Sequence, residues 1–181
     1  CGMGPPSSGA MTIAQTLKLI EPLGGVSGAF SAMSAQALHI IGEAQKLAYA
    51  DRNRYLADPD FISIPSGLLD AGYIEERRKL IDLRRAMPKP AAGIPPGLAK
   101  RTFGNDQTFE RAGTSHISIV DDDGNAVAMT TTIEGAFGSH LWAAGFLLNN
   151  ELTDFSFQPA DKDGQAVANR IEGGKRPRSS M

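Results

Sequence analysis

The sequence predicts an α+β chain in two parts, helical over residues 1–113 and β-structured over 114–181. Three observations carry this reading. Apolar residues recur at helical spacing in two N-terminal segments, a Pro- and Gly-punctuated stretch then interrupts all periodicity, and two β-like runs flank Asp121-Asp122-Asp123-Gly124.

The elements follow in chain order. Residues 1–10, CGMGPPSSGA, read as a loop, with Ser8 or Gly9 placed to start a helix. Ile13, Leu17 and Ile20 then predict a helix over Met11–Glu21. The longest predicted helix is Ser34–Ala57, with Leu38, Ile41, Ala44 and Ala48 as its apolar stripe and Glu43, Lys46 and Arg54 on the other side. Asp58-Pro59 ends it, because the residue before a proline is pushed out of helical geometry. A shorter helix is predicted over Ala71–Leu83. Both stripes read as core-facing surfaces. Residues 86–100 carry too many prolines for regular structure, and the polar run 101–113 lacks periodicity. A long irregular connection inside a compact domain is often functional or mobile. This one leads to Gly113-Thr114, where glycine can take backbone geometry closed to other residues.

Residues 115–121 and the run up to Thr132 predict a β-hairpin. Asp122-Asp123-Gly124 fits a three-residue loop with glycine in the left-handed position, closed by Asp121 opposite Asn125. Counting back from that pair sets Thr114 opposite Thr132, with Cβ atoms about 5 Å apart and the hydroxyls within reach of each other. A four-residue loop would bring Thr131 there instead. Thr132 alone would read as ordinary strand filling. Thr114 is the candidate nucleophile: its hydroxyl is weak by itself, but cutting the Gly113–Thr114 bond would create an α-amine to act as its base. Residues 145–150 are predicted as a further short strand. The aspartate run invites a calcium reading, but it lacks the alternating spacing and terminal Glu of an EF-hand loop, so a turn is favoured.

Composition sets outer limits. With 181 residues, 41% hydrophobic and 21% charged, the chain has the make-up of a soluble globular domain or a piece of a larger one. A net charge of -2 gives no reason to expect nucleic acid as a partner. The short basic clusters at Arg77–Lys79 and Lys175–Arg178 read as solvated faces or local anion contacts. A single cysteine, Cys1, excludes an internal disulfide and a Cys-based zinc site. His39, His116 and His140 have no ligand spacing, so neither metal nor cofactor is predicted. No stretch approaches the roughly 18 apolar residues of a membrane span. The ends, without an initiating Met or a secretory signal and stopping inside a polar loop, read as those of an excerpt from a longer protein.

Several motifs in order carry a resemblance over nearly the whole chain. TSHISIVDDDGNAVAMTTTIEGAFGS from Thr114, GFLLNNELTDFS from Gly145 and GKRPRSSM from Gly174 resemble the start of the small subunit of γ-glutamyltranspeptidases. Upstream, PPSSGA and GEAQKLAYADRNRYLADPDF resemble the C-terminal part of that family's large subunit. The resemblance implies an N-terminal-nucleophile hydrolase, of which this chain holds part of a four-layer αββα sandwich. It implies a precursor that cuts itself between Gly113 and Thr114, with 1–113 in the large-subunit region, 114–181 in the small, and the two remaining together as a heterodimer. Thr114 is then the nucleophile and Thr132 the threonine that orients it. Asp154 matches the aspartate that binds the substrate α-amine, with Glu134 and Glu151 close in the motif. Ser179 and Ser180 match the serines that donate to its α-carboxylate. Many members carry Asn at the position of Glu134 and Gln at that of Glu151, so this pocket is more acidic.

The implied donor is glutathione or a similar γ-glutamyl amide, the acceptor water or an amino acid or peptide amine, and no cofactor is used. An arginine on an earlier segment and an oxyanion glycine pair beyond the serines lie outside the chain, so residues 1–181 alone are expected to be inactive or nearly so. A cephalosporin- or glutaryl-type acylase, or an unprocessed non-catalytic relative, are the alternatives. The resemblance implies a periplasmic or extracellular location; the residues themselves leave the cytoplasm open. Residues 155–175, a lid in some relatives, lack Tyr and Trp, which points to an open pocket.

Overall fold

The computed structural model describes residues 2–23, 31, 33–98, 103–108 and 113–179. Helix α1 spans Gly9–Ile20, α2 spans Ala35–Tyr55 and α3 spans Ala71–Arg78. The β part opens with a hairpin of β1, Thr114–Val120, and β2, Ala126–Thr132, followed by the two-residue strands β3, Trp142–Ala143, and β4, Phe146–Leu147. The chain is thus α+β, as read, and no described helix is long and apolar enough to cross a membrane.

Helix α2 starts where Ser34 accepts the Ala37 N–H at 3.1 Å, an N-cap, and α3 starts on the same device from Asp70 to the Tyr73 N–H. Helix α3 stops at Arg78, short of the expected Leu83. The Leu80 and Ile81 N–H groups bond back three residues, tightening the turn, and Asp82 Oδ1 accepts the Arg84 and Arg85 N–H groups in a side-chain turn that competes with helix. Ser8 stands at the N-cap position of α1, its carbonyl accepting the Thr12 N–H, but its hydroxyl makes no cap bond and is engaged elsewhere.

The helices pack on one another by faces that differ from the expected stripes. On α1 the buried residues are Thr12, Gln15, Thr16, Leu19 and Ile20, while Ile13 and Leu17 stand about half exposed. On α2 the buried face carries Ile40, Glu43, Ala44, Leu47, Ala48, Asp51, Arg52 and Tyr55, and Leu38 is exposed. Polar side chains enter the core because each finds partners there. Asp51 accepts hydrogen bonds from Gln15 Nε2 and the Tyr73 hydroxyl, both at 2.7 Å, and from the Gly93 N–H, and it pairs with Arg77 at 3.3 Å. Glu43 accepts from Lys46 Nζ and the Met87 N–H.

The proline-rich stretch has no helix or strand over residues 86–98, yet it is fastened to the helices. Tyr55 donates to the Gly93 carbonyl, Arg77 to the Ala91 carbonyl, and the Gly67 N–H to the Pro96 carbonyl. Of the polar run, residues 103–108 lie against 156–167, with single strand-like bridges at Gly104–Val167, Ser156–Arg170 and Ala160–Ala166. The segment 155–175 is therefore tied down at Val167, Ala168 and Asn169, which are buried.

Candidate functional site

The hairpin pairs Thr114 with Thr132 in the counted register. Gly124 closes the turn at φ 83°, and Asp121 accepts the Asp123 and Asn125 N–H groups and the Asn125 side chain, bonds that hold its carboxyl below the usual range. The register puts Thr114, His116, Ser118, Thr130 and Thr132 on one face and Ile117, Ile119, Val127 and Met129 on the other. The polar face is linked side by side, with His116 Nδ1 at 2.8 Å from Thr130 Oγ1.

At the open end of the hairpin the Thr132 hydroxyl uses its whole capacity. It accepts the Thr114 hydroxyl at 3.1 Å and the Glu134 N–H at 2.8 Å, and donates to the Gly113 carbonyl at 3.2 Å. The scissile candidate and its neighbouring hydroxyl thus share one partner. Gly113 is needed here for space rather than for a special dihedral. A Cβ at this position would fall inside van der Waals contact of the Glu134 carbonyl oxygen. Glu134 itself holds a left-handed φ of 70°, uncommon for a residue with a side chain, where β2 turns away.

From that turn hydrogen bonds lead to the other candidates. The Asn150 N–H donates to the Ile133 carbonyl, Asn150 Nδ2 to Glu134 Oε2 at 2.8 Å, and the Gly135 N–H to Asn150 Oδ1. Asn150 then leads into a 3-10 turn, Glu151–Asp154. A cavity of about 460 Å³ between these segments is lined by Glu134, Phe137, His140, Asn150, Thr153, Asp154 and Phe157, among others. Burial pushes the Glu151 carboxyl up, and the nearby Asp154 and Glu134 carboxylates push it further.

Ser179 is placed by a different set of groups. Its carbonyl accepts from Ser8 Oγ at 2.8 Å and Arg52 Nη2 at 2.9 Å, its Oγ accepts the Ser8 N–H, and its N–H donates to the Pro6 carbonyl. Arg52 Nε also donates to Ser8 Oγ at 2.8 Å. The structure therefore joins Thr114 with Thr132, and Glu134 with Asp154, while Thr114, Thr132, Glu151 and Ser179 are not among the cavity's lining residues. Ser180 lies outside the described residues.

The basic clusters make local anion contacts, the anions being this chain's own carboxylates, while Lys79 and Arg176 also stand exposed. Arg77, Lys175 and Arg178 are buried. Arg178 meets Asp106 at 3.1 Å, and Arg176 forks onto Asp58 at 2.5 and 2.9 Å. Those bonds hold the Asp58 carboxyl well below the usual range. For Asp106, burial works upward, but hydrogen bonds from Ser156 and Thr108 and the Arg178 charge outweigh it and lower the carboxyl. Sequence reasoning missed Ser8, Arg52, Asp58, Asp106, Asn150 and Asn169 as groups that hold the site's loops. The one available signal was the PPSSGA and DRNRYLADPDF text, which marked the segments without saying what they hold.

The chain is 40% identical over 186 residues to the glutathione hydrolase proenzyme of Escherichia coli (strain K12), covering 99% of this chain and 30% of that protein. It is 37% identical over 183 residues to the acylase ACY 1 proenzyme of Pseudomonas sp. (strain V22), covering 99% and 29%. Its fold superposes on the crystal structure of a cephalosporin acylase from Bacillus halodurans with a TM-score of 0.62 at 24% identity, over 93% of this chain and 28% of that one. The chain thus spans about 30% of the length of the curated relatives it matches. The family model described as gamma-glutamyltranspeptidase matches residues 1–181, and the chain belongs to that family.

Proposed function

We propose that residues 1–181 are the junction of a γ-glutamyl hydrolase and transferase of the N-terminal-nucleophile type, part of an αββα sandwich, cut between Gly113 and Thr114. The observation that carries this is the Thr132 hydroxyl bonded at once to Thr114 Oγ1 and the Gly113 carbonyl. Thr114 Oγ1 attacks the Gly113 carbonyl carbon. Its proton passes to Thr132 Oγ1, whose own proton moves to the Gly113 oxygen, so the adduct forms without net charge. Collapse of the adduct breaks the C–N bond, restores the carbonyl and leaves an ester on Thr114 Oγ1, the proton going to the nitrogen. Water then hydrolyses the ester, giving Gly113 a carboxylate and returning the hydroxyl of Thr114, whose α-amine was freed when the C–N bond broke. Residues 1–113 and 114–181 thereby fall into two subunits of one heterodimer.

In the mature site the α-amine, with an ordinary pKa near 8, takes the proton from Thr114 Oγ1 at neutral pH. The hydroxyl attacks the γ-amide carbonyl of glutathione or a related donor, and the amine leaves with the proton. Water or an amino acid or peptide amine then resolves the γ-glutamyl ester. Asp154, with Glu134 and Glu151, receives the substrate ammonium, and Ser179 and Ser180 donate to its α-carboxylate.

Two carboxylates lining one small cavity, Glu134 and Asp154, with the Glu151 carboxyl near enough to feel both, also separate this reading from a glutaryl-type acylase. A γ-glutamyl group brings an ammonium to compensate them, whereas a glutaryl group brings none. The acylase remains the second reading because of the similarity to the acylase ACY 1 proenzyme.

Intact mass of the full-length protein after incubation tests the proposal. A species beginning at Thr114 is expected, absent in Thr114→Ala. An uncut wild type, or a Thr114→Ala variant still split after Gly113, overturns it. Residues 1–181 alone are expected to release almost no glutamate from a γ-glutamyl anilide, and a γ-glutamyl-over-glutaryl preference in the whole enzyme decides against the acylase.

A further inference from the structure

Asn169 is fully buried and sits between the two loops assigned to the substrate head group. Its Nδ2 donates to the Asp154 carbonyl at 2.7 Å and its Oδ1 accepts the Arg178 N–H at 2.8 Å. Its own carbonyl accepts the Ser156 N–H at 2.9 Å. One side chain therefore grips the backbone of Asp154 itself and the backbone beside Ser179.

The two gripped segments are otherwise tied to different parts of the molecule. Ser179 is held by Ser8 and Arg52 from the helical part. The Asp154 turn is approached through Asn150, which bonds to Glu134 at the end of the hairpin. A second link runs from the Arg178 guanidinium to Asp106, whose Oδ2 also takes Ser156 Oγ at 2.5 Å. That link runs through side chains, from Arg178 to a residue two past Asp154, whereas Asn169 bonds the backbone of Asp154 itself and the backbone N–H of Arg178, next to Ser179. An amide suits the place because it presents a donor on one side and an acceptor on the other, matching a carbonyl and an N–H in the way a peptide unit does.

The α-ammonium and α-carboxylate of an amino acid hang from one carbon, so their separation is fixed. A site that recognises both must hold its two grips at that spacing, and small displacements lose one end. Resting on the function proposed above, we infer that Asn169 is a positioning residue that sets the distance between the ammonium grip at Asp154 and the carboxylate grip at Ser179. It thereby selects donors with an α-amino acid head group. It touches neither the substrate nor the reacting atoms.

The test uses the full-length enzyme with Asn169→Asp and Asn169→Ser. The first keeps an acceptor for Arg178 and replaces the donor facing the Asp154 carbonyl by a carboxylate; the second shortens the side chain. Calorimetric titration with L-glutamate, and kinetics on γ-glutamyl and glutaryl anilides, are the readouts. The expected result is an about tenfold weaker glutamate Kd and higher γ-glutamyl KM, the size of loss for one buried hydrogen bond. Cleavage at Gly113 and kcat are expected to stay within about threefold, as for lost binding rather than lost chemistry. The γ-glutamyl preference over glutaryl falls, and the effect of Asp154→Asn is no longer additive with that of Asn169→Asp.

Unchanged glutamate affinity in either folded variant overturns the inference. So does an equal loss on both anilides, or failure of both variants to fold, each of which makes Asn169 purely structural. If the wild type itself binds no glutamate, the functional reading fails and takes this inference with it, a result distinct from a wild type that binds and variants that bind as well.

Discussion

Thr132→Val is the sharpest test of the junction geometry. Valine keeps the branched shape and removes one hydroxyl with three partners, Thr114 Oγ1 at 3.1 Å, the Glu134 N–H at 2.8 Å and the Gly113 carbonyl at 3.2 Å. All of these groups are on exposed backbone or side chains, where water substitutes, so the cost in folding stability is about 1 kcal/mol or less. The cost to cleavage is larger, because negative charge builds on the Gly113 oxygen as the bond is attacked, before the proton from Thr132 has reached it. Removing one donor aimed at such an oxygen costs about 2.7–4 kcal/mol, roughly 100- to 1000-fold in rate. The assay is intact mass over time on the purified full-length precursor, at two dilutions to show that the step is intramolecular. Thr132→Ser retains the hydroxyl and should process within about tenfold of wild type, losing only the methyl's packing. A Val precursor that melts like wild type and matures within about threefold of its rate would refute the argument, because no transition-state donor would then have been lost.

Gly113→Ala sets a Cβ against the Glu134 carbonyl, and Glu134 at φ 70° has little freedom to retreat. A shift of about 1 Å follows, and maturation is expected to slow on the order of 100-fold with the circular dichroism spectrum unchanged. For Glu151 the folded-state carboxyl lies above its unfolded value, so it favours folding at low pH and that contribution is lost as pH rises through the raised value. Glu151→Gln should therefore raise the melting temperature at neutral pH and leave it unchanged below the carboxylate range; a rise equal at both pH values would rule out titration as the cause. Asp58 has the opposite sign. Its carboxyl is depressed by the Arg176 fork, so its contribution is present above the ordinary carboxylate range and fades as pH falls below it. Asp58→Asn is expected to cost about 2 kcal/mol at neutral pH, a modest figure because Arg176 is half exposed, and progressively less in acid. Chemical denaturation at both pH values reads it.

Much of the fold was legible because it rests on local chemistry. Ser34 and Asp58-Pro59 bracket the long helix, and Asp121 to Asn125 define a loop whose geometry sets the register for every pair back to Thr114. The helix faces were less legible. Hydrophobic spacing put Ile13, Leu17 and Leu38 inward, whereas the structure buries Gln15, Glu43, Asp51 and Arg52. A pattern that scores only apolar residues cannot see a polar side chain whose partners come from elsewhere in the chain. The Asp51 partners lie on three other segments, at Gln15, Tyr73 and Gly93. Helix α3 ended early for a related reason, since Asp82 satisfies the Arg84 and Arg85 N–H groups without any helical continuation.

The candidate site divides along the same line. Thr114 and Thr132 could be paired from sequence because one short turn connects them. Nothing local connects Ser8 and Arg52 with Ser179, or Asn169 with both Asp154 and Arg178. These are long-range bonds made by buried polar groups, and each costs desolvation that only correct placement offsets. That cost is also what makes them useful. A loop held by a buried, fully satisfied side chain has one position, whereas a loop held by surface contacts has many. The hairpin shows the contrast, since both of its faces are exposed among the described residues, Ile117, Ile119, Val127 and Met129 included. A two-stranded ribbon has little stability of its own. The strand of the proposed nucleophile therefore gains little rigidity from the residues around it, while the loops at Asp154 and Ser179 are already fixed by groups within these residues.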